Sequence, residues 1–569
     1  MNSFYIKKQI SLFPVVAAVL LGSAASQAAP TPPDSGQIMR EIQKQPVPSA
    51  PVTVNPLRIN EESTPKKTSA DDVHIAVKMI RLTGHKSFTT DELASLVANL
   101  AGGEHTLTEL NAGVERITAF YRERGFVVAR AYLPEQDIKN GVVVIDVIEG
   151  LVGQKRVTNE SRLTDERINS YLDRINTGDV LQAKSIDRVL LLLNDLPGVG
   201  SARATLQPGS TVGSSDLLIQ LDPSAAYVGN VELDNNGSRS TGMNRLGVSL
   251  AVNSPLKIGD QINLNALSSD QKMNYGKVAY QLPLGSNGMR VRAAYSESQY
   301  SVGEEFSSLL NHGKASSSSL NVTYPFVSSQ VTNLTANFTL EDKKLEDLSD
   351  NPNPSVAQPF YSNKVVRTIN FGLTGNHQDA MGGGGITSFD VSLGIGTLNM
   401  DAATASNFLA LNNGSFTKVA YNLSRLQSLT ERNTLSLMVS GQQTNTNLNS
   451  SEQFSLGGAN GVRAYPQGEG TGDAGWMMNL ELRHSFNSTL QGVLFHDAGS
   501  VNITHSPYVA GVNTRFISGY GLGVNTSFAG LQFRAYAAWQ GSGGQPKSIP
   551  LSAVSTPTFW IKVTKNFGG

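Results

Sequence analysis

The chain of 569 residues contains no cysteine, which excludes disulfide frameworks, thiolate metal sites and cysteine nucleophiles. Charge is sparse at 16 % of residues and nets to -1, which argues against the strongly basic face of a nucleic-acid binder. Beyond residue 28 no stretch reaches 18 consecutive apolar residues, so that part holds no spanning helix. The patterns HExxH, GxSxG and GxxxxGKS/T are absent, and the eight histidines are scattered with no i, i+4 pair. The run Gly382 to Gly385 lacks the lysine of a phosphate loop and reads as a turn. No catalytic, metal or cofactor site emerges, and an enzyme is not expected.

What is present begins with a leader-like segment over 1–28. Lys7 and Lys8 precede the apolar run Ile10 to Leu21, and Ser26-Gln27-Ala28 forms a small-residue cleavage site. The run is short for the roughly 20 residues of a membrane anchor, so the reading is an exported chain that starts near Ala29. Residues 29–70 are proline-rich and read as a linker. Within it, DSGQIMREIQKQ (Asp34 to Gln45) places Ile38, Met39 and Ile42 at helical spacing beside Arg40. Spacing alone leaves a docked helix and a frayed segment equally open, because a short isolated helix is marginal in water.

Residues 71–150 and 151–222 read as two similar units of strand, helix, helix, strand, strand. In the first, Thr89 with Glu92 and Thr106 with Glu109 have capping-box spacing ahead of two apolar stripes, Leu93, Leu96, Val97, Leu100 and Leu110, Val114, Ile117, Tyr121. Two strands are expected to join in a hairpin around Asn140-Gly141. In the second, Ile168, Leu172, Ile175 and Ile186, Leu190, Leu193 mark the helices. Each unit offers a strand edge that can accept a peptide.

From Ala226 onward the period changes to 2. Trp476, Met478, Leu480 and Leu482 alternate with Asn479, Glu481 and Arg483; Leu531, Phe533, Ala535, Ala537 and Trp539 alternate with Gln532, Arg534 and Tyr536. This fits the apolar-out, polar-in pattern of a transmembrane barrel. A large soluble sandwich also alternates, but charge on the polar face suits a wet lumen better than a packed core. FWIKVTKNF puts Phe559, Ile561, Val563 and Phe567 on one face of a last strand. The 344 residues from Ala226 to the end give roughly 16 strands.

One segment does not fit a barrel turn. LGGANGVRAYPQGEGTGDAGW, Leu456 to Trp476, holds seven glycines and one arginine between two alternating strands, where hairpins usually need two to five residues. With it, the sequence resembles the outer-membrane transporters of two-partner secretion, the TpsB family of the outer-membrane protein 85 superfamily. Val462, Arg463 and Tyr465 match the family's Val-Arg-Gly-Tyr loop tip, with Ala464 in the glycine's place. FHDAG matches an F-x-D-x-G barrel-strand motif through Phe495, Asp497 and Gly499. GFVVARAYLPEQDIKNGVVVIDVIEG and LLLNDLPGVGSARATLQPG resemble the ends of two POTRA domains, and DSGQIMREIQKQ the family's plug helix.

The resemblance implies a transmembrane antiparallel β-barrel of about 16 strands (223–569), preceded by two α+β POTRA domains (71–150 and 151–222) and an N-terminal plug helix carried by residues 29–70. It implies a pore in the outer membrane of a Gram-negative bacterium, with the POTRA domains in the periplasm and no ATP used. The partner implied is a TpsA-type exoprotein (haemolysin, adhesin or contact-dependent inhibition toxin) whose N-terminal secretion domain binds the POTRA domains. A monomer in outer-membrane lipid, inserted by the barrel-assembly machinery, is implied as well. The alternative is a factor that itself inserts β-barrels. By resemblance Arg463 pairs with Asp497 on the inner wall, and an inward Phe495 needs a cover, for which Tyr465 and Val462 are the expected partners. Alanine at 464 is costly if that position needs a positive φ.

Overall fold

A computed structural model of the protein describes residues 32–43, 57–59, 74–350, 361–407, 413–508 and 510–568. The leader expected over 1–28 and most of the linker lie outside them.

The first α+β unit starts from two capped helices. Thr89 caps Thr90–Val97 and Thr106 caps Leu107–Glu123, each as a complete capping box with Glu92 or Glu109. Their apolar stripes, Leu93, Val97, Leu110, Ile117 and Tyr121, are buried with Val143 and Ile145 of the sheet. That sheet pairs Met79–Thr83 in parallel, and Arg130–Tyr132 antiparallel, with the central strand Val142–Ile148. Asn140 and Gly141 both adopt positive φ, 58° and 72°, as the dipeptide predicts, but they do not close a tight hairpin. The register pairs Tyr132 with Asp146, leaving a long loop between the strands. Gln136 holds that loop by bonding both the N–H and the C=O of Val144 through its side chain.

The second unit packs helices Asp165–Leu172 and Ala183–Asn194 on strands Leu151–Asn159, Val199–Pro208 and Ser214–Pro223. Ile168, Leu172, Ile175, Ile186, Leu190 and Leu193 are all in its core. The linker strand Leu57–Ile59 adds in parallel to Val199–Pro208 and covers that edge of the sheet. This unit also meets the barrel's turns: Arg167 Nη2 donates to the carbonyl of Gly285 at 2.8 Å, and Arg188 Nη2 to that of Pro325 at 3.1 Å.

The remaining strands form one closed antiparallel barrel of 16, from Tyr227–Asp234 to Thr558–Phe567, whose first and last strands pair from Gly229↔Phe567 to Asp234↔Lys562. Alternation decides which residues face out. Leu233, Ile369, Phe371, Leu393, Leu494, Leu522, Phe559 and Ile561 are exposed on the outer wall, while Lys343, Lys364, Gln442, Asn479 and Asp497 are buried inside. Among the described residues no helix is long and apolar enough to cross a membrane; the crossing is made by strands. Asn311–Ser328, Thr332–Ser349 and Tyr361–Asp379 run to 18, 18 and 19 residues, whereas a tilted strand needs only about 10 to cross. Their outer face turns charged past Leu340, with Lys344 and Glu346 exposed, so that end stands clear of the bilayer.

One buried carboxylate organises the first unit. Glu149 accepts the backbone N–H of Lys86 and of Ser87 at 2.7 Å each, the Ser87 hydroxyl at 2.8 Å and the Tyr121 hydroxyl at 2.9 Å. Burial opposes its ionisation, but these four donors outweigh burial and hold its pKa below the ordinary glutamate value. Burial, reinforced by the same carboxylate, raises the pKa of the Tyr121 phenol. Because the folded pKa is depressed, the stabilisation is present above the unfolded value and is lost as pH falls through the folded one. Glu149→Gln is expected to destabilise this unit by about 1–3 kcal/mol at neutral pH. The difference from the parent should close as pH drops below about 4. A urea titration of the full-length protein, read by hydrogen exchange across Val142–Ile148, checks both.

Candidate functional site

Between strands Asn433–Thr444 and Ala474–Ser485 the chain does not stay outside the barrel. It folds back into the lumen, closed at its root by the short antiparallel pair Phe454–Ser455 and Thr471–Gly472. Leu456, Val462, Ala464 and Tyr465 are all at 0 % exposure. The glycines permit this compaction: Gly458 has φ 115°, and a Cβ at Gly461 would lie 2.0 Å from the carbonyl oxygen of Leu456.

At the tip, the carboxylate of Asp497 takes three donors from one residue. Arg463 Nε reaches Oδ2 at 2.8 Å, Nη2 reaches Oδ1 at 2.7 Å, and the Arg463 backbone N–H reaches Oδ2 at 3.1 Å. The third guanidinium nitrogen, Nη1, donates to Glu481 at 2.6 Å. Asn479 Nδ2 donates both to Asp497 at 2.8 Å and to the carbonyl of Gly461 at 2.9 Å. From the last barrel strand, Trp560 Nε1 donates to the carbonyl of Arg463 at 2.7 Å, and the Thr558 hydroxyl to that of Ala464 at 3.2 Å.

The strand motif divides its work by position. Asp497 binds the arginine. Phe495, two residues back and so on the same face, lies under the guanidinium with 3.5 Å from its carbon to the ring centroid. Gly499 leaves room for the loop root, since a Cβ there would lie 2.6 Å from Leu456 Cδ2. The cover over Phe495 is therefore Arg463 itself, with Tyr536 edge-on at 5.9 Å. Val462 and Tyr465 join the same cluster, but the Tyr465 hydroxyl points away and donates to Gly544 O at 2.8 Å. On the next strand, a Cβ at Gly521 would lie 2.3 Å from Phe495 and one at Gly523 2.1 Å from Tyr536. The two rings under the arginine thus rest on bare backbone.

The second element in the lumen is the helix Ser35–Gln43. Asp34 caps it, accepting the Gln37 N–H at 2.9 Å. Ile38 and Met39 are both buried, against different walls. Met39 packs with Leu345, Val366, Leu398 and Phe416; Ile38 packs with Tyr300, Val302 and Phe306, and Ile42 sits half-buried beside them. Arg40 Nη1 donates to the carbonyl of Ser450 at 2.7 Å and Nη2 to Thr471 Oγ1 at 3.4 Å, so the helix grips the inward loop as well as the wall. The cap has a second role. Asp34 lies 3.3 Å from Lys364 Nζ, a fully buried wall residue that also has Asp347 at 3.6 Å. The Ser450 hydroxyl donates to Asp34, at 2.6 Å to Oδ1.

Glu481, Asn479 and Trp560 were not singled out from sequence as site residues. The first two carried a signal, being polar on an alternating strand, but alternation does not say what they meet. A further buried carboxylate, Glu469, accepts Arg515 Nη2 at 2.8 Å and the N–H groups of Lys547 and Ser548 at 2.8 Å each, tying the loop's return arm to another outer loop.

Comparison with known proteins agrees with this architecture. Residues 213–526 match the family described as haemolysin secretion/activation protein ShlB/FhaC/HecB, and residues 75–150 match the ShlB-type POTRA domain. The heme/hemopexin transporter protein HuxB of Haemophilus influenzae is 26 % identical over 97 % of this chain and 98 % of its own length. The solved structure of CdiB from Escherichia coli shares the fold at a TM-score of 0.72 and 21 % identity, covering 95 % of this chain and all of that one. BamA from Haemophilus ducreyi lacking POTRA domains 1–3 is more distant in fold, at a TM-score of 0.50 and 14 % identity, covering 86 % of this chain and all of that one. The chain belongs to the ShlB/FhaC/HecB family of haemolysin secretion/activation proteins and is an outer-membrane transporter of that family.

Proposed function

We propose that the chain exports one large exoprotein, unfolded, from periplasm to cell surface, and that Arg463 and the helix Ser35–Gln43 hold its pore shut between substrates. The supporting observation is how the lumen is filled. Two segments of the same chain occupy it, and each is seated on the wall by side-chain contacts, polar and apolar, rather than by strand pairing. A plain diffusion pore has no use for removable contents.

The α+β units receive the exoprotein's N-terminal secretion domain by strand addition along an open edge. The helix then leaves, the loop yields, and the chain threads outward as a monomeric pore without nucleotide. Folding at the surface blocks return and supplies direction. Insertion of other barrels is the less favoured reading: the fold lies further from BamA than from CdiB, and a helix lodged in the lumen suits a gated channel.

Three outcomes are expected. Arg463→Ala should cut secretion of the cognate exoprotein ~10-fold or more while the barrel still folds, because breaking a buried pair typically costs about 3–5 kcal/mol; secretion assays with heat-modifiability gels check it, and normal secretion sinks the role of the loop. Asp34→Ala should raise the open probability of single channels in planar bilayers, since it removes both the helix cap and the contact with Lys364. Deleting residues 71–150 should abolish capture of the exoprotein's N-terminal domain in a pull-down; undiminished capture refutes the receiving role.

A further inference from the structure

Ala464 occupies the loop-tip position where glycine is the family pattern. It is not among the residues with positive φ, so its methyl group imposes no left-handed strain. What matters is where the methyl goes. It is fully buried and directed at Gly519 of the strand Thr514–Phe528. A Cβ at Gly519 would lie 2.3 Å from the Ala464 Cβ and 3.5 Å from the Ala464 nitrogen. Two carbons need about 3.5–4.0 Å, so a methyl group at each position cannot be accommodated with the tip where it is.

The neighbourhood gives this contact leverage. Gly519 is the direct cross-strand partner of Asp497, and Ala464 follows Arg463 in the chain. Anything that lifts Ala464 off Gly519 also lifts the guanidinium off its carboxylate. A displacement of ~1 Å turns the 2.7 and 2.8 Å hydrogen bonds into contacts that no longer qualify as such. The carbonyl of Ala464 is meanwhile held from the far side by Thr558, so the tip has little freedom to slide sideways.

We propose that Ala464 and Gly519 form a steric key that sets the depth at which the loop tip seats on the inner wall. The constraint is on the pair: one methyl group is accommodated across the two positions, and either side can carry it. Alanine at 464 is then compatible with the arginine lock because position 519 has no side chain. Ala464 and Gly519 are positioning residues; they act through Arg463 and Asp497.

The experiment uses full-length protein in detergent micelles, with hydrogen exchange of residues 456–472 as the readout and heat-modifiability as the check on folding. Gly519→Ala should lower protection of the loop roughly tenfold or more, the usual penalty for overpacking. Ala464→Gly alone should lower it about fivefold through the missing methyl group. The exchange variant, Gly519→Ala with Ala464→Gly, should return to within about threefold of the parent; a tight 3.0 Å approach of the new Cβ to the Trp539 carbonyl keeps recovery short of complete. Rescue by exchange is the outcome a merely structural glycine would not give. Parent-like protection in Gly519→Ala, or an exchange variant no better than Gly519→Ala, overturns the proposal. Should Gly519→Ala fail to insert, insertion restored by Ala464→Gly supports the key and continued failure overturns it. Ala464→Val, which adds bulk from the loop side and leaves the wall untouched, must also lower protection; unchanged protection overturns it. None of these readouts involves export, so a failure here leaves the transport reading standing.

Discussion

A charge taken out of water is costly unless it is paired and hydrogen-bonded, and Arg463 is buried inside the barrel at 4 % exposure. All three of its guanidinium nitrogens find carboxylates, and its flat face finds a phenyl ring. Satisfying it requires Glu481, Asp497 with Phe495, and Tyr536 on three of four consecutive strands, with glycines on the fourth, Thr514–Phe528, to make room. The barrel's most demanding stretch of register therefore exists around one loop residue. Trp560 extends that dependence to the last strand, the one that closes the barrel against the first.

The lumen is held by interactions of a different kind from those that hold its wall. Strands are zipped by ladders of backbone bonds over 6 to 17 registered pairs. The helix and the loop are held by side-chain hydrogen bonds, ion pairs and apolar packing. A structure with both kinds can lose its contents and keep its wall. Lys364 illustrates how the wall tolerates such a loss. At rest it serves Asp34 of the helix, but Asp347 stands 3.6 Å away, so departure of the helix does not strand a buried cation. Lys343 and Lys418 are likewise paired to Glu452 of the inward loop, with Glu341 3.3 Å from Lys343 as a second partner.

Much of this is legible in the sequence. Period 2 with charge on one face assigns inside and outside correctly for Trp476 to Leu482 and for Phe559 to Ile561 because a strand has only two faces. Thr89 and Thr106 start helices because a cap satisfies local donors and needs no tertiary partner. Where meaning depended on a neighbour far along the chain, the sequence said less. Asn140-Gly141 specifies its own backbone, not the length of the loop before it. Phe495 was recognisably in need of cover, but Tyr465 and Arg463 sit two residues apart, and only the seating of the tip decides which of them lies on the ring. The alternating Gly519, Gly521 and Gly523 are visible as glycines; that they face Ala464, Phe495 and Tyr536 is set by the seating of the loop tip and by the registers to both neighbouring strands.

Why such a lock should be ionic rather than apolar follows from what surrounds it. In a wet lumen, an apolar tip would seat strongly and nearly without direction, since burial of hydrocarbon scales with area and not with orientation. A bidentate arginine is satisfied only within a narrow range of angles and distances. It therefore specifies one seated position, and the three strands that supply its partners specify which. Released, the guanidinium regains its hydration, while Phe495 and Tyr536 are left exposed on the wall. Release therefore exposes apolar surface on both sides, these rings on the wall and Val462 and Tyr465 on the loop. A seat that is worse off empty favours return of the same tip, which is the property a reusable closure needs.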